Sequence, residues 1–476
     1  MQTSEYDLIV IGAGSTGENV ADRAVQGGLR ALIVEEELVG GECSYWACMP
    51  SKALLRSGQA LRAARAVPGA AEAVTGDLDV AAVLKSRTSF TSDWDDSGQV
   101  KWLKGADITL IRGRARLTGE REVTVINSDG QESVHLARHA VAVATGSSAT
   151  VPNIPGLREA EPWTSREATS VTEIPESLAI IGGGVVGCEM ATAFSDLGAK
   201  VTVISRGRLL AATEDFAGDA VADALRDRGV TVMLDTGTTS VTRDAKGVTI
   251  ETETGETVQA AEVLAATGRR ARTDGLGLDV VGLTDGEWIE VDDTMRVKGV
   301  DWLYAVGDVN HRVLLTHQGK YQARAAGDVI VARAQGGLVD DARWGAHVAT
   351  ADHACVPQVV FSSPEVASVG LTAAQAKDDG LRLQVVDTAI GSVAGAALQG
   401  DGYEGKARMI VDEDRGVIVG MTFVGPDISE LLHAATIAVV GEVPVTRLWH
   451  AVPAYPTVSE VWLRLLEGYG RASASS

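Results

Sequence analysis

The chain has 476 residues, 45% of them hydrophobic, enough to bury sizeable cores and to divide into about three domains. With 64 Asp and Glu against 42 Lys and Arg, its formal charge of −22 argues against nucleic acid or an anionic membrane as a partner. Four cysteines, only two of them close in sequence, exclude a secreted disulfide framework, and no apolar run reaches the length of a membrane span.

The opening Met1-Gln2-Thr3-Ser4-Glu5-Tyr6-Asp7 has neither a charged n-region nor an apolar h-region, which predicts a cytoplasmic protein. Tyr6 to Ile11 is a short apolar strand; Gly12-Ala13-Gly14-Ser15-Thr16-Gly17 then opens a helix to about Gly27, and a second strand, Arg30 to Val34, ends in Glu35. Bare amides at the helix start would hold a pyrophosphate, and an acid about twenty residues on would take a ribose diol, so this unit predicts dinucleotide binding.

Gly40-Gly41-Glu42-Cys43-Ser44-Tyr45-Trp46-Ala47-Cys48-Met49-Pro50-Ser51-Lys52 follows. On an undistorted helix, residues five apart have Cα atoms about 8.6 Å apart, beyond the roughly 7 Å reach of a disulfide. A bridge between Cys43 and Cys48 therefore requires a bent helix, and being strained it would be reducible. The alternative is a pair of buried thiols in a core helix. The fingerprint upstream and the cationic Lys52 downstream favour a redox pair.

Leu54 to about Leu84 reads as helical with a break at Pro68-Gly69. Ile108 to Leu117, Glu122 to Asn127 and Glu132 to Leu136 read as scaffold strands around Ser128-Asp129-Gly130, and His139 to Ala144 as a strand ending in Thr145-Gly146-Ser147. Beyond Pro152 and Pro155-Gly156 a second fingerprint appears: strand Ser177 to Ile181, Gly182-Gly183-Gly184-Val185-Val186-Gly187, and a helix to about Leu197. The next strand, Lys200 to Ile204, ends in Ser205-Arg206-Gly207-Arg208 where an acid would suit NADH. Two guanidiniums there attract a 2′-phosphate and predict a preference for NADPH, with NADH possible; the alternative is two solvated surface charges. Val263 to Ala266 leads into Thr267-Gly268-Arg269, echoing the end of the first unit, and Trp302 to Ala305 ends at Val306-Gly307-Asp308, an acid placed for a ribityl hydroxyl or phosphate edge. Thr316 is expected to cap the helix through Lys320 to Ala334. Cys188 and Cys355 read as buried small residues, and no histidine spacing predicts a metal.

From Tyr6 to about Glu467 this order of motifs resembles the pyridine nucleotide-disulfide oxidoreductases of the class that includes dihydrolipoyl dehydrogenase, glutathione reductase and mercuric reductase. The resemblance implies an α/β fold: two Rossmann-like dinucleotide-binding domains, for FAD (1–155 and 274–350) and NAD(P) (156–273), plus a C-terminal α+β dimerisation domain (351–476). It implies FAD held by Gly12, Gly14, Gly17, Glu35, Gly41, Thr145, Gly146, Gly307 and Asp308, and the nicotinamide cofactor by Gly182, Gly184, Gly187, Arg206, Arg208 and Gly268. Cys48 becomes the thiolate nearest the flavin, Cys43 the interchange thiol, and Lys52 with Glu189 the ion pair near flavin N5. The C-terminal domain, opening near Pro357-Gln358-Val359-Val360-Phe361, implies a homodimer that lends residues to the partner's disulfide site.

Departures from the family bear on the acceptor. Its usual His-Pro-Thr-x-Ser-Glu reads here Tyr455-Pro456-Thr457-Val458-Ser459-Glu460, so the acid-base histidine is replaced by a phenol that titrates near 10 rather than 6.5; His450 reads as a helix-end residue. Oxidising a dithiol needs a base, whereas reduction by NADPH delivers thiolates directly, so the sequence favours reduction of a small disulfide or other electrophile. The cysteine pair that mercuric reductases carry at the C-terminus is not found in Arg471 to Ser476. Tyr45 and Trp46 beside the pair either restrict access to a flat or narrow acceptor or pack against the neighbouring helix. Three alternatives stand: a quinone or dye reductase with electrons leaving from the flavin, a dihydrolipoyl dehydrogenase-like activity, and a non-catalytic subunit with structural FAD.

Overall fold

The computed structural model describes residues 3–471, so the short tail expected from Arg471 onward lies outside the described residues apart from Arg471 itself. The residues gather into two compact units, 3–50 with 88–150 and 268–352, and 51–87 with 151–267 and 353–471.

The first unit is built on a seven-stranded sheet in the order Thr109–Arg112, Ala31–Glu35, Thr3–Ile11, Glu132–Val143, Glu122–Ile126, Arg114–Gly119, with Leu303–Ala305 also pairing to Glu132–Val143. Alternation splits Thr3–Ile11 between two cores. Leu8 and Val10 face Ala21 and Ala24 of the helix Ser15–Gln26 and Ala323 and Ala326 of the helix Thr316–Ala334. Ile9 and Ile11 face Val123, Val125 and Leu276 on the other side. A strand covered on both faces reads as an unbroken apolar run, and each such side chain contributes about 1.5–3 kcal/mol on burial. The expected strand Ile108–Leu117 divides at Gly113, whose φ of 149° carries the chain from the parallel part of the sheet into an antiparallel hairpin. The two strands expected over Glu132–Leu136 and His139–Ala144 are one, Glu132–Val143. At its far end the buried His135 is held between the Oγ atoms of Ser4 and Ser133, at 2.7 and 2.8 Å.

The second unit holds a parallel sheet in the order Thr231–Met233, Lys200–Ile204, Ser177–Ile181, Glu262–Ala265, with Leu178, Ile180, Val201 and Val203 packed against Met190 and Phe194 of the helix Val185–Asp196. An antiparallel meander over Thr238–Asp244, Gly247–Thr252 and Thr257–Ala260 flanks it in the chain. Further on lies a five-stranded antiparallel sheet in the order Pro357–Val360, Glu365–Gly370, Val417–Gly425, Lys406–Asp412, Leu383–Ala389. The helix expected over Leu54–Leu84 is broken more widely than at Pro68-Gly69: Cys48–Arg65 and Val80–Phe90 are separate, with one short turn at Ala71–Ala73 between. The architecture is the α/β class with a C-terminal α+β sheet that the sequence led us to expect. Among the described residues no helix is long and apolar enough to cross a membrane.

Candidate active site

In the first unit the strand Thr3–Ile11 runs into Gly12 at φ 100°, and a Cβ on Gly17 would stand 1.9 Å from the Gly12 carbonyl oxygen, so only glycine lets helix and turn approach this closely. The helix has Gly14 as its N-cap and no side chain caps it, which leaves its first amides to an anion. Glu35 Oε2 accepts from the Ala13 amide at 2.7 Å and Oε1 from the Glu37 amide at 2.8 Å; burial pushes this carboxyl up. Glu18, in the first turn, is pushed up to about 7 by burial. Its Oε1 and the Oγ1 of Thr145 are buried without a partner. Uncapped amides, a glycine cradle and orphaned buried oxygens together fit a bound dinucleotide.

Gly307 takes φ 81° and donates its amide to Gln322 Oε1 at 2.8 Å. Asp308 Oδ2 accepts from Ser147 Oγ at 2.5 Å, and Arg269 Nε, which donates to the same hydroxyl at 2.5 Å, lies 3.7 Å from that carboxylate. The segment Thr145-Gly146-Ser147 and the turn at Gly307-Asp308 are thus brought together.

The segment carrying the two cysteines is tied to the glycine turn. Gly40 donates to the Ala13 carbonyl at 2.8 Å, and a Cβ on Gly41, which has φ 62°, would stand 2.8 Å from Gly14 Cα. A helix runs from Gly41 to Tyr45 and stops; Trp46 adopts φ −138°, and a new helix starts at Cys48. This interruption replaces the uniform bend the spacing required, and it leaves Cys43 and Cys48 as two unbridged, partly buried thiols on either side of the break. The neighbouring Cys48, then burial, hold Cys43 well above the usual thiol range. Cys48 Sγ in turn lies 3.2 Å from Thr316 Oγ1. Thr316 is not a cap, contrary to expectation: the N-cap of Thr316–Ala334 is Leu315, and the hydroxyl is used on sulfur instead. Of the two rings beside the pair, Tyr45 is buried with its hydroxyl donated to the Val39 carbonyl at 3.0 Å, so it packs, and only Trp46 is partly open.

In the second unit Lys52 Nζ donates to Glu189 Oε2 at 2.7 Å, the glutamate side chain being 4% exposed. Glu189 Oε1 accepts from the Phe361 amide at 3.0 Å, and the Lys52 ammonium lies 5.0 Å from the centre of the Phe361 ring. Both carboxylate oxygens are therefore satisfied and the cation rests on an aromatic face.

The second fingerprint repeats the first. Gly182 has φ 122°, a Cβ on Gly187 would stand 2.1 Å from the Gly182 oxygen, and Gly184 is an uncapped N-cap with open space around it. Gly268 has φ 122°, also in open space. The two arginines part company: Arg206 is exposed, whereas Arg208 folds inward, donating to the carbonyls of Ala211 and Thr213 at 2.9 and 2.7 Å and pairing with Asp215 at 2.9 Å. Tyr455 is 77% exposed, and Glu460 Oε2 accepts from the Gly395 amide at 3.4 Å. Cys188 and Cys355 are buried as expected. Sequence reasoning missed the thiol contact of Thr316 and the part Phe361 plays.

Comparison with known proteins follows the same outline. The family model described as pyridine nucleotide-disulphide oxidoreductase matches residues 6–336, and that of the dimerisation domain of the same oxidoreductases matches 356–465. A mercuric reductase of Acidithiobacillus ferrooxidans is 32% identical over 461 residues, covering 96% of this chain and 81% of the relative. A dihydrolipoyl dehydrogenase of Geobacillus stearothermophilus is 30% identical over 473 residues, covering 97% and 96%. Among solved structures, the HOCl-induced flavoprotein disulfide reductase RclA from Escherichia coli superposes with a TM-score of 0.82 at 23% identity, over 97% of this chain and 99% of that one, a likeness of fold.

Proposed function

The chain belongs to the pyridine nucleotide-disulphide oxidoreductase family, an FAD-dependent enzyme family that uses NAD(P)H, and from that premise we propose that it takes hydride from NADPH in preference to NADH and reduces a small disulfide or other soft electrophile through Cys48 and Cys43. The observation that carries this reading is the helix interruption at Trp46-Ala47, which leaves two unbridged thiols on either side of a break in a segment packed on the dinucleotide turn.

Bound FAD supplies two-electron transfer between the nicotinamide and the cysteine pair. Gly12, Gly14 and Gly17 admit the pyrophosphate, Gly41 closes on them, and Glu35, Thr145, Gly146, Gly307 and Asp308 hold the sugars and ribityl chain. Cys48 opens the helix Cys48–Arg65, whose positive end favours a sulfur anion there, with Thr316 as donor. Cys43 keeps its proton until it is needed. Passing that proton to the Cys48 thiolate, it attacks one sulfur of the acceptor disulfide; the expelled thiolate takes the proton from Cys48 as it leaves, and the Cys48 thiolate then attacks Cys43, re-forming the bridge and releasing the second thiolate, which is protonated from solvent. Two electrons and two protons are consumed per disulfide cleaved. Lys52, held by Glu189, is the cation that the family resemblance assigns to flavin N5. Tyr455 donates a hydrogen bond and does not serve as a base; with Glu460 it belongs to the site of the partner in a homodimer. The assignment of 1–155 and 274–350 to FAD, 156–273 to the nicotinamide cofactor and 351–476 to dimerisation is part of the same proposal, as is a cytoplasmic location.

Replacing Cys43 with serine tests the route. We expect disulfide reduction to be lost while reduction of quinone dyes by NADPH persists, and equal retention of both would mean that electrons leave without the pair. The cofactor preference is tested by comparing two arginines. Arg206→Ala should raise the KM for NADPH about tenfold and leave that for NADH unchanged, since a solvated guanidinium is free for a 2′-phosphate. Arg208→Ala, which breaks bonds to its own loop, should lower the thermal midpoint and affect both cofactors alike. An equal rise for both cofactors in Arg206→Ala would contradict the preference.

A further inference from the structure

Below the turn that carries Asp308 lies a closed polar network. Gln322, on the helix Thr316–Ala334 and 0% exposed, is bonded through both ends of its amide. Oε1 accepts from the Gly307 amide at 2.8 Å and from Asn310 Nδ2 at 2.9 Å, and Nε2 donates to Asp352 Oδ2 at 2.8 Å. Asp352, its side chain 1% exposed, also accepts from Gln318 Nε2 at 2.9 Å and Arg312 Nε at 3.1 Å. Asn310 closes the ring, donating to the Ala305 carbonyl at 3.0 Å and accepting from the Arg312 amide at 3.0 Å, while Arg312 is backed by Asp293 at 2.8 Å. The turn itself is unusual backbone, with φ of 81° at Gly307 and 58° at His311. A Cβ on Gly307 or Gly319 would stand 2.9 or 2.4 Å from Thr16 Oγ1, so turn, helix and first fingerprint meet without slack.

We propose that Gln322 and Asp352 are positioning residues for the flavin dinucleotide: they clamp the Gly307 amide and Asn310 from beneath, so that Asp308 is presented in the one orientation that holds the cofactor. The inference rests on the reading of Asp308 as an FAD contact. Gln322 carries the register of the turn because its single oxygen serves two donors on opposite sides of Asp308. Asp352 carries the register of Gln322, since a carboxylate admits only the amide's nitrogen end and so forbids the flipped side chain.

The test is the affinity of the flavin-stripped full chain for FAD, read by quenching of flavin fluorescence, beside the thermal midpoint of the same apoprotein. Gln322→Leu should weaken FAD binding about tenfold or more by leaving the buried Gly307 amide unpaired and Asn310 Nδ2 with its Ala305 bond but without its bond to Gln322. Ser133→Ala, in the distant His135 contact of the same unit, should move only the thermal midpoint. Gln322→Glu keeps the acceptor but sets a second carboxylate against Asp352, with Arg312 the facing cation. One proton must then be shared, so FAD binding should be near wild type at about pH 6 and weaken by about pH 8, a dependence that space-filling alone would not give. Should Gln322→Leu fail to fold, this pH series decides. Asp308→Ala distinguishes the flavin contact from the clamp beneath it. If it leaves FAD affinity unchanged, the reading of Asp308 is wrong and the clamp goes with it. If it weakens FAD while Gln322→Leu stays within about twofold of wild type, or Gln322→Glu shows no pH dependence, the clamp alone is overturned.

Discussion

Cys48→Ser should abolish disulfide-reductase turnover, by about three orders of magnitude or more, while leaving FAD content and thermal midpoint close to those of the unaltered protein. A hydroxyl takes the place of the sulfur with little change in volume and can still meet Thr316 Oγ1, so packing at the head of the helix Cys48–Arg65 is retained. What goes is the chemistry: a serine hydroxyl at that helix end cannot expel the acceptor's thiol from Cys43 and re-form a bridge. The loss should exceed that from any change at Tyr455, an exposed phenol that the proposed direction of flow does not need as a base. Steady-state oxidation of NADPH in the presence of a small disulfide measures it. Turnover within about tenfold of wild type would mean that this sulfur is not on the electron path.

Lys52→Met should carry the next largest effect, a destabilisation of about 2–4 kcal/mol together with slower reduction of the bound flavin. The methionine fills much of the same space, but Glu189 is left as a carboxylate 4% exposed with one remaining bond, from the Phe361 amide. Breaking one side of such a pair costs more than never having had it. Adding Glu189→Gln removes the stranded charge and keeps an acceptor for Phe361, so the double variant should recover most of the lost thermal midpoint but not the flavin reduction rate. Two independent, additive losses of stability would show that the pair is not coupled. Because Lys52 is 35% exposed, the lower half of the range is expected.

Both fingerprints were legible because their constraint is local: Gly12, Gly17, Gly182 and Gly187 stand where any Cβ would meet a backbone oxygen within a few residues of themselves or at the end of the adjoining strand. Helix geometry said only that a bridge between Cys43 and Cys48 would require a bent helix, and the fingerprint and Lys52 favoured such a pair; that the distortion comes as a stop at Trp46 rather than a smooth curve was not legible. Other features depend on what the fold brings from afar. Thr316 meets a sulfur 268 positions away, and nothing in its own neighbourhood distinguishes that hydroxyl from a capping one. Phe361 was visible as the start of a domain but not as the ring over Lys52. Arg206 and Arg208 look alike in sequence, and only the loop through Ala211, Thr213 and Asp215 turns one of them inward. Tyr45 and Trp46 likewise could be told apart only once Val39 offered its carbonyl to the buried ring.

The central claim is that reducing equivalents pass through Cys48. The direct measurement is an anaerobic titration of the oxidised, FAD-loaded protein with NADPH, followed by absorbance to long wavelength. The first equivalent should bring up a broad long-wavelength band from a Cys48 thiolate against the flavin, and Cys48→Ser should lack it. Bleaching of the flavin by that first equivalent with no such band in the wild-type protein would contradict the account.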